Sequence, residues 1–410
     1  MTTLRHTLRH RLASPWWIGA LAAAVLIGCG GGDGGSSSAS NGVGTGGTGA
    51  AAGPVTGYGS LIVNNTRFDV DAATFTDDEG ERVTIADRVR PVGLGAIVDI
   101  RSGEITRNSD DDDVGKATTV TVVVSIKGPV EVAPSGNSLK VLGQTVNVNS
   151  ATQYGTANGV LSDLTVNTPV VVFGYQDATG AYLATRIEAL SSPLQSYKLR
   201  GRVTSSSGSR YFRMGEVNGA GGITVDTVGL TLVTLPQVGS TVTVRLGTLP
   251  VAANVYRAVL PLNTVDRTPT EATRSGLEGI VSGYTPGSPS FKVDGVAVLT
   301  NSSTQFTGTL DNNRRVSVEG KVVNRVLVAT QVAVRADGGE DLASSYKLID
   351  RVSSPVASAK TFQLKNLVVS YTDATRFDNG TAANLASLPV VLVEGYASGG
   401  GFVATRIRFR

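Results

Sequence analysis

The densest charge cluster in the chain is a run of four aspartates, Asp110, Asp111, Asp112 and Asp113. Carboxylates on a loop suit Ca²⁺, which takes about six to eight oxygen ligands. The run does not, however, have the alternating ligands and distal glutamate of an EF-hand. Consecutive aspartates repel one another and usually lie in a solvated loop. We therefore favour a solvated loop and keep a weak calcium site as the alternative.

A Ser-x-x-Lys spacing links Ser344 to Lys347. In penicillin-binding proteins this spacing places a nucleophilic serine beside its activating lysine. The partner motifs Ser-Asp-Asn and Lys-Thr-Gly do not occur in the sequence, and a related segment at 195–198 has glutamine in the position of the serine. The pattern is more typical of a linker between repeated units than of a catalytic site.

The N-terminal residues have the order of a secretory signal. Arginines precede an apolar run at 16–27, which is shorter than the roughly 20 residues that a membrane span needs. Leu26, Ile27, Gly28 and Cys29 resemble, residue by residue, the lipobox of bacterial lipoproteins. The resemblance implies cleavage before Cys29 and lipid on its sulfur, so that the lipid bilayer is one partner of the chain.

Two further features bear on where the chain lies. Gly30 follows Cys29, whereas in Gram-negative lipoproteins an aspartate at that position tends to retain the protein in the inner membrane. The resemblance therefore implies a lipid anchor in the cell envelope, with the outer membrane favoured and either the periplasm or the surface as the side it faces. Residues 30–53 are rich in glycine and serine and cannot bury apolar surface, which predicts a flexible tether over 29–53.

Removal of residues 1–28 changes the chemistry open to the chain. Both histidines and three of the 36 lysines and arginines lie there, which leaves 33 basic against 33 acidic residues. Cys29, the single cysteine, would carry lipid. A chain with neither histidine nor a free thiol cannot build a His-based triad or the usual imidazole metal site. We therefore expect no catalytic residues, no cofactor and no enzyme activity, and the balanced charge argues against a nucleic-acid partner.

Beyond residue 53 the sequence predicts strands. Phe291 to Val298 alternates at period two around Asp294-Gly295, which is a strong hairpin signal. Asp226 and Asp294 are expected to serve turns. Valine and threonine dominate the alternating segments, and no segment after residue 53 has a helical period over three turns.

Three motifs recur in a fixed order: Thr-x-aromatic, Val-x-Val-x-Gly and Ala-Thr-x-Ile or -Val. Their copies begin at Thr152, Val170 and Ala184, at Thr304, Val316 and Ala329, and at Thr375, Val391 and Ala404. Degenerate copies complete five units. The predicted boundaries are 1–28 for the signal, 29–53 for the lipidated cysteine and tether, and 54–126, 127–195, 196–272, 273–342 and 343–410 for units 1 to 5.

This order of motifs resembles a family of lipoprotein domains known as domain of unknown function 5666. The resemblance is clearest in units 2, 4 and 5, whereas unit 3 lacks two motifs and unit 1 carries the acidic insertion. It implies small β-barrels of OB-like character and no established activity. The predicted fold is all-β, a tandem array of about five small OB-like barrels strung like beads after the tether, because closure into barrels removes exposed sheet edges.

Repeated charged and aromatic side chains serve either architecture or binding. The repeated residues are Arg186 and Arg406, Glu319 and Glu394, and Tyr154, Phe306 and Phe377. We favour ion pairs across a barrel wall for the charges and the barrel core for the rings. The alternatives are a ligand-facing row of charges, and rings that stack sugars or single-stranded nucleic acid.

These features favour a membrane-anchored envelope lipoprotein that binds or scaffolds, with an envelope protein or a polysaccharide as its partner. The alternative is a carboxylate-dependent hydrolase or lyase that acts on an envelope or extracellular polysaccharide. Such an enzyme needs a deep cleft lined by two carboxylates about 5–9 Å apart.

Overall fold

The computed structural model describes residues 47–58, 60–79, 92–107, 113–217, 221–230, 234–259, 263–264, 267, 271–335, 346–364, 367–398 and 401–410. The signal, the lipobox and most of the predicted tether lie outside these residues. Most of the described chain is β-strand, with short 3₁₀ turns at Leu161–Asp163, Ala357–Ala359 and Ala382–Ser387. In the part of the chain that is described, no helix has the length and apolar character needed to span a membrane.

The strands form closed barrels that share one connectivity. In each barrel the first strand pairs antiparallel with the second and the fourth, as in the C-terminal barrel. The fourth strand pairs antiparallel with the fifth, and the third runs parallel to the fifth. This is the connectivity of a five-stranded OB-like barrel. The predicted all-β array of OB-like barrels is therefore confirmed.

Barrel 1 contains β1 (Gly49–Tyr58), β2 (Leu61–Val63), β3 (Thr66–Asp69), β4 (Thr74–Asp77), β5 (Ile97–Ser102), β6 (Thr106–Arg107) and β7 (Asp113–Val122). Barrel 2 contains β8 (Ile126–Ser135), β9 (Ser138–Val141), β10 (Gln144–Asn147), β11 (Gln153–Gly155), β12 (Pro169–Gln176) and β13 (Tyr182–Ala189). Barrel 3 contains β14 (Tyr197–Ser207), β15 (Tyr211–Met214), β16 (Ile223–Asp226), β17 (Thr241–Ala252), β18 (Val255–Ala258) and β19 (Asn263–Thr264).

Barrel 4 contains β20 (Ala272–Ser282), β21 (Ser290–Val293), β22 (Val296–Leu299), β23 (Gln305–Thr307), β24 (Arg315–Val323) and β25 (Val326–Val334). Barrel 5 contains β26 (Tyr346–Val356), β27 (Thr361–Leu364), β28 (Leu367–Asp378), β29 (Val390–Ser398) and β30 (Gly401–Phe409). In barrels 1, 2 and 4 the third strand is divided in two, and both pieces run parallel to the fifth strand.

The barrels are joined by strand pairing into two continuous sheets. The prediction of separate barrels arranged like beads on a string is therefore wrong. An 18-stranded sheet contains barrels 1, 4 and 5, and a 12-stranded sheet contains barrels 2 and 3. Strand β1 runs parallel to β20 of barrel 4 and to β26 of barrel 5, and β8 pairs with β14. First strands thus connect the barrels, because each offers an edge that its own barrel leaves unpaired.

Strand β1 begins inside the range predicted as tether, so that prediction is wrong for residues 49–53. These residues pair with β5 on one side, and residues 49–52 also pair with β20 on the other. Ala50 and Ala51 are 7% and 3% exposed. Small side chains are needed because a Cβ on Gly49 would collide with the Ser102 hydroxyl. The small residues that suggest a linker in the sequence are therefore needed for the close approach of β1 to its neighbouring strands.

The apolar core has the same grouping as the sheets. Barrels 2 and 3 share one cluster of buried side chains, and barrels 1 and 5 share another. Phe173 and Tyr175 of barrel 2 pack into the cluster of barrels 1 and 5, so the two sheets are in contact. The interior of barrel 4 forms a third cluster, which Ala50 of β1 joins.

The threonine of Thr-x-aromatic is a structural clamp in barrels 2, 4 and 5. Its hydroxyl donates to the carbonyl of the alanine in the Ala-Thr motif of the fifth strand. The three hydrogen bonds run from Thr152 to Ala184 (2.8 Å), from Thr304 to Ala329 (2.8 Å) and from Thr375 to Ala404 (2.7 Å). The motif therefore recurs because it fixes the end of the third strand on the fifth.

The glycine of Val-x-Val-x-Gly lies at a β-bulge of the fourth strand. The register between the fourth and fifth strands shifts just before Gly174, Gly320 and Gly395. A Cβ at any of the three would collide with a backbone carbonyl of the facing strand. This glycine is required by close backbone approach.

The predictions for the repeated charges and rings are confirmed in part. Arg406 faces Glu394 across barrel 5, with 3.6 Å between Nη1 and Oε2. Glu319, in contrast, faces a glutamine, and Arg186 pairs with Glu188 on its own strand. The prediction of a core position is wrong for Phe306, which is 49% exposed on the short strand β23.

The other two rings of the motif are half-buried at the barrel surface. Tyr154 packs against the edge of the core of barrels 2 and 3, and its burial raises the pKa of the phenol to about 12. Phe377 contacts the rings of Tyr371 and Phe409 at centroid distances of 5.7 and 6.4 Å. Neither ring fills a barrel interior.

Candidate functional site

The residues singled out in the sequence do not converge on one site. The lipobox residues Leu26, Ile27, Gly28 and Cys29 lie outside the described residues, as do Asp110, Asp111, Asp112 and Ser344. Asp113 is described and pairs with Arg274, with 2.9 Å between Oδ1 and Nη1. Across the described ranges no group of three or more His, Cys, Asp or Glu residues could hold a metal ion.

The turn predicted at Asp294-Gly295 is confirmed, and it leads to the candidate site. Asp294 and Gly295 have φ angles of 45° and 87°, as a two-residue turn between β21 and β22 requires. The outer face of this hairpin borders a cleft of about 1100 Å³ between barrel 4 and the walls of barrels 2 and 3. We call it the inter-barrel cleft.

Barrel 4 contributes the hairpin wall of the inter-barrel cleft. Ser290 and Lys292 are exposed on β21, since Phe291 and Val293 turn inward at alternate positions. Ala297 and Leu299 continue the same face on β22. In OB folds, this face of the second and third strands is where oligonucleotides and oligosaccharides bind.

Barrels 2 and 3 contribute the opposite wall. Arg200, Gly201 and Arg202 follow one another on β14. Gln176 Oε1 of barrel 2 accepts a hydrogen bond of 2.8 Å from the backbone N–H of Arg202. The Tyr182 hydroxyl donates to the Arg200 carbonyl at 2.7 Å, and a Cβ on Gly201 would collide with that hydroxyl. The glycine therefore lets the two barrels approach closely enough to form a single wall.

The floor of the inter-barrel cleft is a buried set of charges. The carboxylate of Asp294 lies in this floor and pairs with Arg267. Arg267 is 4% exposed, and its Nε also donates to Asp99 Oδ2 of barrel 1 at 2.8 Å. Arg200 is 8% exposed, with 3.5 Å between its Nη2 and Asp294 Oδ2. Residues of barrels 1, 3 and 4 thus meet beneath the cleft.

A second buried set of charges joins barrel 1 to barrel 3. Lys198 of β14 pairs with Asp78 and lies 3.6 Å from Glu79 Oε2, and Glu79 also pairs with Arg245. Burial raises the pKa of Asp78, and Lys198 offsets only part of that effect. The 195–198 segment, interpreted as a linker, therefore includes a buried contact between barrels.

The inter-barrel cleft is suited to binding. Its described lining carries three cations, Arg200, Arg202 and Lys292, against the one carboxylate of Asp294. The pair of carboxylates that a glycosidase needs is not found in this lining. Sequence reasoning missed the three cations because they belong to no motif. The alternation of β21 predicts that Lys292 faces away from the core, and this is the one local signal for any of them.

Fold and cleft together define a class: a protein of interlocked OB-like barrels that share a concave surface. Residues 127–188, 278–333 and 351–408, in barrels 2, 4 and 5, match the model of a domain of unknown function, DUF5666. These are the three units in which the resemblance is clearest from the motifs, so it is confirmed there.

The other comparisons cover curated proteins and solved structures. No curated protein matches it. A solved structure, drosophila Unr CSD456, has 14% identity over 52% of this chain and 98% of its own, with a TM-score of 0.14. A multidomain protein with nucleic acid binding domains from Streptococcus pneumoniae TIGR4 has 13% identity over 52% of this chain and 73% of its own, with a TM-score of 0.15. At such scores neither similarity bears on function.

Proposed function

We propose that this protein is a lipid-anchored, non-catalytic binding protein of the bacterial cell envelope, whose ligand lies in the inter-barrel cleft. One observation carries the binding role. Strands β21 and β22, which form the ligand face of an OB-like barrel, line a cleft of about 1100 Å³ that three barrels enclose. That volume is slightly above the range for pockets that hold small molecules, roughly 300–1,000 Å³.

A segment of envelope polysaccharide suits the inter-barrel cleft better than a folded protein does. The cleft is concave and partly open to solvent, and its walls present small polar groups such as Ser240, Thr241 and Ser282. An extended polymer can enter such a space, whereas a stable protein partner typically covers about 800 Å² of each surface.

The envelope location rests on the resemblance of residues 26–29 to a lipobox. Metabolic labelling with an alkyne fatty acid should mark the wild-type protein in membranes and leave Cys29→Ser unlabelled. Equal labelling of the two proteins would refute the anchor.

Binding is tested with full-length protein in detergent and with polysaccharide extracted from the host envelope. Ser290→Trp places an indole on the exposed face of β21 inside the inter-barrel cleft. Ser303→Trp places the same ring on an exposed turn of barrel 4 outside it. In isothermal titration calorimetry we expect the wild type and Ser303→Trp to bind alike and Ser290→Trp to lose binding. Equal binding by both variants would move the ligand out of the cleft.

A further inference from the structure

Arg200 is a buried guanidinium with unused hydrogen-bonding capacity at the floor of the inter-barrel cleft. A guanidinium has five N–H donors. Arg200 is 8% exposed, its Nε has no partner among the described residues, and the distance from its Nη2 to Asp294 is 3.5 Å, at the limit for a hydrogen bond. A buried charged donor without a partner is destabilising. Such a group fits a partner that enters from the cleft.

The carboxylate nearest to Arg200 is already occupied. Asp294 pairs with Arg267, which in turn holds Asp99. These four charged groups are neutral as a set. Arg267 is the more deeply buried of the two arginines and has the closer contacts, so the unused hydrogen-bonding capacity lies on Arg200, which lines the cleft.

Two more cations give the inter-barrel cleft a net positive charge. Arg202 lies two residues after Arg200 on β14, and Lys292 faces it from β21 of barrel 4. Within the described part of the chain, neither side chain forms a hydrogen bond or ion pair. Because Asp294 is paired with Arg267, the charges of Arg202 and Lys292 are not compensated within the lining of the cleft.

The chemistry of the walls selects among anionic ligands. Carboxylates and phosphates both accept two parallel hydrogen bonds from one guanidinium. Single-stranded nucleic acid binds on exposed aromatic platforms, but Tyr182 and Phe291, the two rings that border the cleft, are 1% and 4% exposed. The side-chain amide nitrogen of Asn313 and the hydroxyl of Thr241 offer partners for sugar hydroxyls.

We infer that the inter-barrel cleft binds an acidic saccharide, with a uronic acid carboxylate on Arg200 and with Arg202 and Lys292 beside it. The inference rests on the proposed binding role of the cleft and adds the class of ligand and the residues that recognise it.

Calorimetry on the full-length protein in detergent, at fixed ionic strength, tests this inference with a uronic acid hexasaccharide and a neutral hexasaccharide of the same linkage. We expect the acidic chain to bind at least tenfold more tightly. Arg202→Gln should weaken binding of the acidic chain about tenfold, which corresponds to about 1.4 kcal/mol. Arg200→Gln should weaken it at least as much. Lys321→Gln, which removes an exposed cation of barrel 4 outside the cleft, should change nothing.

The outcomes separate the inference from the proposed function. Equal affinity for the two hexasaccharides, or full affinity in Arg202→Gln, overturns the carboxylate subsite and leaves a binding cleft. Tighter binding of a phosphorylated hexasaccharide or of a single-stranded oligonucleotide overturns the ligand class. If none of the saccharides binds, the host polysaccharide included, the proposed function is overturned. Arg202 lies at the cleft wall and is half-buried, so the test holds even if Arg200→Gln does not fold.

Discussion

Replacing Lys198 with methionine should lower the free energy of unfolding by about 3–5 kcal/mol at pH 8. The side chains of Lys198, Asp78 and Glu79 are 7%, 5% and 12% exposed. Methionine keeps the length of the lysine stem but removes its charge, so Asp78 is left ionised in the interior. Glu79 keeps Arg245 as a partner, and the cost therefore falls mainly on Asp78.

The pH dependence of this loss of stability follows from the direction in which the pKa of Asp78 is shifted. Burial raises the pKa of Asp78 above its usual value even with Lys198 present. A carboxyl with a raised pKa in the folded state disfavours folding increasingly as pH rises from the unfolded-state pKa through the folded one. Without Lys198 that pKa rises further, so the cost of Lys198→Met should shrink on acidification, by up to about 1.4 kcal/mol per pH unit.

Urea unfolding followed by circular dichroism at pH 5 and pH 8 measures both effects. Lys127→Met is the matched control, because Lys127 pairs in register with Lys198 on the neighbouring strand but is half-buried. It should cost less than about 1 kcal/mol. Adding Asp78→Leu to Lys198→Met should restore most of the loss. The reasoning is refuted if Lys198→Met costs no more than the control, or costs the same at both pH values.

Three further substitutions test the repeated motifs and one exposed turn. Thr375→Val removes two hydrogen bonds of a buried hydroxyl, and urea unfolding should show a loss of about 2 kcal/mol in the free energy of unfolding. The control Thr405→Val removes one hydrogen bond of an exposed hydroxyl and should lower that free energy by less than about 1 kcal/mol. Gly320→Ala places a methyl against a carbonyl at the bulge and should lower the Tm, and an unchanged Tm would contradict that geometry. Hydrogen bonds lower the pKa of the Asp163 carboxyl to about 2, and the bond from Thr156 has the largest effect. The stability that this carboxylate contributes is therefore present above pH 4 and is lost as the pH falls towards 2. Asp163→Asn should therefore flatten the acid limb of stability against pH, and an unaltered limb would show that these bonds do not favour the charged form.

The sequence predicts those parts of the fold that depend on contacts close along the chain. The hairpin at 291–298 forms in the expected register, because Asp294-Gly295 supplies the positive φ angles of a tight turn. The motifs predict the barrels, because a clamp threonine such as Thr375 and a bulge glycine such as Gly320 are needed inside each barrel wherever it lies in the chain.

Contacts between barrels leave no such periodic signal. Residues 198–201 of β14 are all buried, because β8 and the other barrels cover a strand that would be half-exposed in an isolated barrel. Lys198 and Arg200 therefore look like surface residues when only the alternation is considered. For the same reason the cations of the inter-barrel cleft, which come from two barrels, could not be brought together from the sequence.

The parallel neighbours of β1 also impose an order on folding. The Thr48 hydroxyl hydrogen-bonds the Glu271 carbonyl across a separation of 223 residues, and β26 lies further still along the chain. Barrels 2 and 3 pair only with each other within the described strands, whereas β1 keeps an open edge until barrels 4 and 5 have formed. Contacts between such distant residues slow folding, and an open edge is a template for wrong pairing. We expect pulse-labelling hydrogen exchange to protect β8 before β1, and earlier protection of β1 would contradict this order. Strand β1 is the first strand in the sequence and the last to gain all of its neighbours. The chain therefore most needs protection from aggregation after β1 has been synthesised and before barrels 4 and 5 have docked on it.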